Sequence, residues 1–141
     1  AQVEEHLGTI LERTLSYHDT ATSPLGPPGR TPVRAREVVY QAFVAGLLVA
    51  LESTHQVRSN RESGLGRCDV LITPRKPGQP GVALELKVRK PPETTKRALA
   101  AALDQLRRKR YSAELRAAGA KPVVELAAVF DGKSVRVARG A

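Results

Sequence analysis

The chain has no Trp, no Met and a single Cys, and only 4% of its 141 residues are aromatic. One Cys, Cys68, excludes an intrachain disulfide and any zinc site built from cysteines, which fits a reducing, cytoplasmic setting. The shortage of aromatics leaves Leu, Val and Ala to fill the core, a composition suited to helices packed closely on a sheet. The longest apolar stretch, Ala42 to Leu51, is about half a bilayer span, and no charged-then-apolar segment opens the chain, so membrane insertion and secretion are not expected. Acidic residues are also scarce, with 14 Asp and Glu against 23 Lys and Arg and a net charge of +9. Such an excess suits a polyanionic partner. It is also what an arginine-rich composition spread over a solvated surface would give, and charge alone leaves the two open. The missing Met, with a helical pattern beginning at Ala1, reads as a processed product or part of a longer protein.

What is present organises into one α/β domain, from about Arg34 to Val137, behind a short leader. Val3, Leu7, Ile10, Leu11 and Leu15 recur every three or four residues and predict a helix from about Gln2 to Ser16. The Pro- and Gly-rich stretch Thr20 to Pro32 then reads as a loop, dividing residues 1–32 from a main domain at 33–141. Thr31-Pro32 has the form of a helix start, and the apolar pattern through Leu51 predicts a helix buried nearly all round. Three strands are expected at His55–Ser59, Arg67–Thr73 and Val82–Val88, joined by short turns as an antiparallel meander. One long helix from about Glu93 to Ala118 follows, stopped by Gly119. Two final strands, Val123–Phe130 and Ser134–Ala138, flank the hairpin signal Asp131-Gly132.

The third strand candidate, Val82 to Val88, carries Glu85 and Lys87 on the face opposite Val82, Leu84, Leu86 and Val88. Two charges there are costly to desolvate unless they are paired or their face opens into a cleft. The preceding strand begins with its own acid, Asp69, which a meander brings beside Glu85. Two adjacent carboxylates repel unless a divalent cation lies between them, and oxygen ligands with open positions suit Mg²⁺ or Mn²⁺. On these residues alone, the plain alternative is Asp69 as a strand cap with a local Glu85–Lys87 pair at a sheet edge, since acids and a base in this order are common.

The order of these features resembles the PD-(D/E)XK superfamily of metal-dependent nucleases, with Asp69 in the second strand and Glu85-Leu86-Lys87 in the third. Glu37 to Phe43, Ser59 to Asp69, Glu85 to Val88, Ala102 to Tyr111 and Phe130 to Lys133 are similar to its branch at the C-terminus of AAA-ATPase-like proteins. The resemblance implies a restriction-endonuclease-like core, a mixed sheet of about five strands flanked by helices in the order α-β-β-β-α-β-β, and an attached ATPase domain. It also implies Mg²⁺ or Mn²⁺ bound by Asp69, Glu85 and the main-chain carbonyl of Leu86, with Lys87 positioning the attacking water. Glu37 matches an acid that supports the metal, and otherwise reads as a carboxylate near a helix start. Gln105 matches a polar residue pointing into the site, along a helix face bearing Ala98, Ala101 and Ala102. Gln41 stands where relatives carry His, which removes a titrating group near the site. Many members act as dimers, so a homodimer is compatible.

Arg61 and Arg67 lie on the turn before Asp69, where Arg can hold phosphates. The run Arg107-Arg108-Lys109-Arg110 suits grip on a nucleic-acid backbone, DNA before RNA, with Tyr111 as a substrate contact. A charged turn, a solvated helix face and a packing tyrosine are the plain alternatives. His6, His18 and His55 are scattered and read as surface or packing residues.

Overall fold

The computed structural model describes residues 45–62, 67–131 and 134–141. The expected leading helix, the Pro-rich loop, Glu37 and Gln41 lie outside the described residues. Helical residues 45–51 (α1) lead into β1 (His55–Glu62), β2 (Arg67–Pro74) and β3 (Gly81–Val88). Two helices, α2 (Thr95–Arg108) and α3 (Tyr111–Ala117), then precede β4 (Val123–Asp131) and β5 (Ser134–Arg139). The five strands form one sheet in chain order, antiparallel except for the parallel pair β3–β4, which α2 and α3 connect. This is the expected mixed sheet flanked by helices.

Strict alternation gives the sheet two apolar faces. Val70, Ile72, Leu84, Leu86, Leu126 and Phe130 form the larger core on one of them, where Leu47 and Leu51 of α1 pack. Leu48 is 40% and Val49 84% exposed, so α1 buries one stripe and is not buried all round as its apolar sequence predicts. The other face joins Leu71 and Ala83 to Leu106, Leu115 and Ala120. Each fully buried Leu there contributes roughly 1.5–3 kcal/mol. On α2 the buried stripe is Ala98, Ala102 and Leu106, at steps of four; Ala101, expected on that face, is exposed. Small residues on the stripe let the helix lie close over β4 and over β3, which carries Glu85 and Lys87.

The predicted single helix is two. After Arg108 the chain turns at Arg110, whose φ of 54° lies in the left-handed region that non-glycine residues seldom occupy. Thr94 caps the start of α2, its side chain accepting from the Arg97 amide. The expected stop at Gly119 is present in full. Gly119 has φ 83°, its N–H donates to the Arg116 carbonyl, and the Ala120 N–H donates to that of Leu115. His55 is a packing residue, its Nε2 donating to the Pro80 carbonyl at 2.9 Å. No described helix is long and apolar enough to cross a membrane.

Candidate active site

The register of β2 on β3 sets Asp69 directly opposite Glu85. Leu71 and Ala83, also opposite each other, belong to the face under α2 and α3, so the period of two puts both acids on that face. Asp69 is 3% and Glu85 1% exposed. Two such carboxylates, with Cα atoms about 5 Å apart across an antiparallel pair, need positive charge nearby.

Lys109 supplies it. Its ammonium donates to Asp69 Oδ2 at 2.5 Å. Burial pulls the Lys109 pKa down, but the hydrogen bond to Asp69 and the charges of Asp69 and Glu85 outweigh that and hold it above its ordinary value. Tyr111 donates its hydroxyl to the same oxygen at 2.7 Å. Burial first, and this bond second, push its phenol up to about 12. The turn between α2 and α3 therefore lays an ammonium and a phenol over the acid pair, where the sequence predicts a substrate-gripping face and a substrate contact. Asp69 Oδ1 is buried with no hydrogen-bond partner among the described residues.

Lys87 follows Glu85 on the same strand face, and its ammonium pairs with Glu93 at 2.9 Å. Glu93 lies in a segment pinned by Arg89, which donates to the Glu93 carbonyl and to Asp131 Oδ1. That hydrogen bond and the Asp131 charge raise the Arg89 pKa, and the same bond lowers that of Asp131. Lys87 is thus held at the edge of the acid pair by a partner six residues ahead in sequence.

The other expected residues divide. Gln105 is half-buried beside Leu106 on α2, the helix that covers the site. Leu86 turns its side chain into the opposite core, while its backbone lies between Glu85 and Lys87. Arg107 and Arg108 are exposed on the last turn of α2, and Arg108 pairs with Asp104 at 2.7 Å. For Arg61 and Arg67 the backbone register alone is described, with Arg61 opposite Cys68 and Arg67 opposite both Glu62 and Lys87. Glu37 is outside the described residues.

Two residues take places in the site that sequence reasoning does not give them. Asn60 is in register with Asp69 on β1, extending the polar row Asn60, Asp69, Glu85 across three strands. Counting alternation forward from Val57, which packs on the larger core, would have put Asn60 on the opposite face with the acids. Lys109 as counter-ion has no sequence signal, because it depends on the break at Arg110.

Among the described residues no third His, Cys, Asp or Glu joins Asp69 and Glu85 into a ready metal cluster. The donor set nevertheless fits a hard divalent cation, which is commonly held by one or two carboxylates and completes its shell with water and phosphate oxygens. The unsatisfied Asp69 Oδ1 is an available ligand atom of that kind.

No curated protein matches the chain. The family model of the PD-(D/E)XK nuclease superfamily matches residues 35–140. With Asp69 on the second strand, Glu85-Leu86-Lys87 on the third and a mixed sheet between helices, the chain belongs to the PD-(D/E)XK nuclease superfamily.

Proposed function

We propose that this domain is a metal-dependent nuclease that hydrolyses phosphodiester bonds, DNA before RNA, with Mg²⁺ or Mn²⁺ held by Asp69, Glu85 and the Leu86 carbonyl. The observation that carries this is the pair of carboxylates set face to face in a buried position, one with an unsatisfied oxygen, beside a lysine on the same strand face. Buried like charges are an expense a purely structural sheet has no reason to keep. A divalent cation there would polarise the scissile phosphate and lower the pKa of an attacking water.

In hydrolysis the water oxygen bonds to phosphorus, the ester P–O bond breaks, and the leaving oxygen takes up a proton. Lys87 positions that water and offsets charge developing on the phosphate. Glu93 orients Lys87 until substrate arrives. Lys109 neutralises the acid pair without cation, and releasing Asp69 frees its ammonium for a phosphate oxygen. Tyr111 holds the Asp69 carboxylate in place throughout. Gln105 supports the site from α2, and Glu37, by its match to the acid that supports the metal, adds to it. Arg61, Arg67, Arg107 and Arg108 meet the strand's phosphates.

The resemblance to the branch at the C-terminus of AAA-ATPase-like proteins makes an ATPase domain of the same protein the proposed partner, in a cytoplasmic setting where a homodimer is compatible. Incubation of the protein with DNA and RNA in Mg²⁺ or Mn²⁺ tests the activity. Cleavage is expected for the wild type and absent in EDTA, in Asp69→Ala and in Lys87→Ala. Binding with no cleavage by the wild type would assign the domain instead to a silent nucleic-acid-binding module.

A further inference from the structure

A second charged feature lies on the same side of the sheet. The turn that sends Lys109 and Tyr111 to Asp69 leaves Arg107 and Arg110 lining a separate hollow of about 600 Å³, with Arg116 of α3 and Arg139 of β5. Its one acidic side chain is Glu125, which accepts a hydrogen bond from Ser112. Arg58, Arg89 and Arg108 each hold a carboxylate. None of the four arginines of the hollow has an ion-pair partner among the described residues.

Arg107, Arg110 and Arg116 give one concave surface an excess of positive charge that concentrates anions, while Arg139, in register with Leu126, borders it at the end of β5. Their planar donors suit the paired oxygens of a phosphate. The volume is that of a small-molecule site and exceeds what a lone inorganic ion needs. Its position is also suggestive. Glu125 is in register with Ala83, two residues before Glu85 on the adjacent strand. The floor of the hollow is therefore about 8 Å in backbone distance from the acid pair. The uncommon left-handed backbone of Arg110 is what turns two neighbouring residues toward Asp69 and leaves the arginines facing the hollow, and strain retained at such a junction accompanies function.

We propose that this hollow is a second anion site, which takes a phosphate group of a nucleic-acid strand while a neighbouring part of the strand lies over Asp69 and Glu85. The choice of a strand rests on the nuclease reading above; the anion site does not require turnover.

The test is therefore binding in EDTA, where no hydrolysis occurs, by fluorescence anisotropy of a labelled single-stranded DNA oligonucleotide across a salt series. Phosphate alone is titrated in parallel by calorimetry. The variants are Arg107→Ala with Arg116→Ala, and separately Arg110→Gly, which removes a charge while relieving the left-handed backbone. Lys76→Ala, on the exposed β2–β3 turn, controls for net charge. The double variant is expected to bind the oligonucleotide about tenfold or more weakly than Lys76→Ala. Its salt slope should be lower by about 1.4, the contribution of two phosphate contacts to a single strand. Arg110→Gly should move both quantities the same way. Loss confined to the phosphate titration would keep the anion site and assign it to a small phosphorylated ligand. Variants that bind both probes as Lys76→Ala does, or a wild type that binds neither, would overturn the proposal. Cleavage with an unchanged hollow phenotype would leave the nuclease reading standing and this one refuted.

Discussion

Lys109→Met should destabilise the metal-free protein and make its stability unusually responsive to divalent cations. The substitution keeps the aliphatic stem and removes the ammonium that lies 2.5 Å from Asp69 Oδ2. Asp69 and Glu85 then face each other with their main counter-charge gone. At about 5 Å and an effective dielectric of about 20, two unit charges repel by about 3 kcal/mol. Stripping one partner from a buried ion pair costs a similar 3–5 kcal/mol. The Lys109 side chain is 22% exposed, so some water screens the loss and the lower figure, about 3 kcal/mol, applies. Urea unfolding in EDTA reads this directly. Mn²⁺ at about 100 times its dissociation constant should restore about 2.7 kcal/mol to the variant. The wild type should gain less, because cation and ammonium compete for one oxygen. A variant within about 1 kcal/mol of wild type in EDTA would refute this, since the acid pair would then not depend on Lys109. So would a cation-linked gain no larger than the wild type's.

Three further outcomes follow from the geometry. Tyr111 should ionise near 12, above an ordinary phenol at 10.0. Because the folded-state pKa is raised, the stability it contributes is full below 10.0 and lost as pH climbs toward 12. Ultraviolet titration should show one late-titrating tyrosine in the wild type and none in Tyr111→Phe. The Asp131 carboxyl is held below 3.8 by Arg89, so its stabilisation is full above that value and lost as pH falls through the lower folded pKa. Acid unfolding of Asp131→Asn should be flatter over that range than that of the wild type. Gly119→Ala forces a Cβ onto φ 83° and within 2.9 Å of Pro77 Cβ, and should cost about 1–3 kcal/mol in thermal or urea unfolding.

Much of this was legible because β-structure writes itself with a period of two. Val82 to Val88 announces which side Glu85 and Lys87 take, and short turns force β1, β2 and β3 into a meander that brings Asp69 opposite Glu85. Gly119 is legible for a similar reason, since few residues but glycine take its backbone without strain. The break between α2 and α3 was not, because nothing from Arg107 to Tyr111 is a Gly or Pro. The turn is imposed by tertiary contacts: Lys109 and Tyr111 to Asp69, and Arg58 to Glu114 at 2.8 Å from 56 residues away. A helix drawn straight through that run puts all four basic residues on the surface as one cluster. In the folded chain one covers the acids, one pairs along the helix with Asp104, and two line the hollow. The outward face of α1 was misjudged because an apolar sequence does not say how much of it a single sheet can cover.

Direct calorimetric titration of Mn²⁺ into the metal-free protein bears hardest on the claim that Asp69 and Glu85 form a cation site. The wild type should take up the ion at a single class of site, and Glu85→Gln, an isosteric change that leaves the strand intact, should abolish the heat. Equal uptake by both proteins, or none by the wild type, would contradict it.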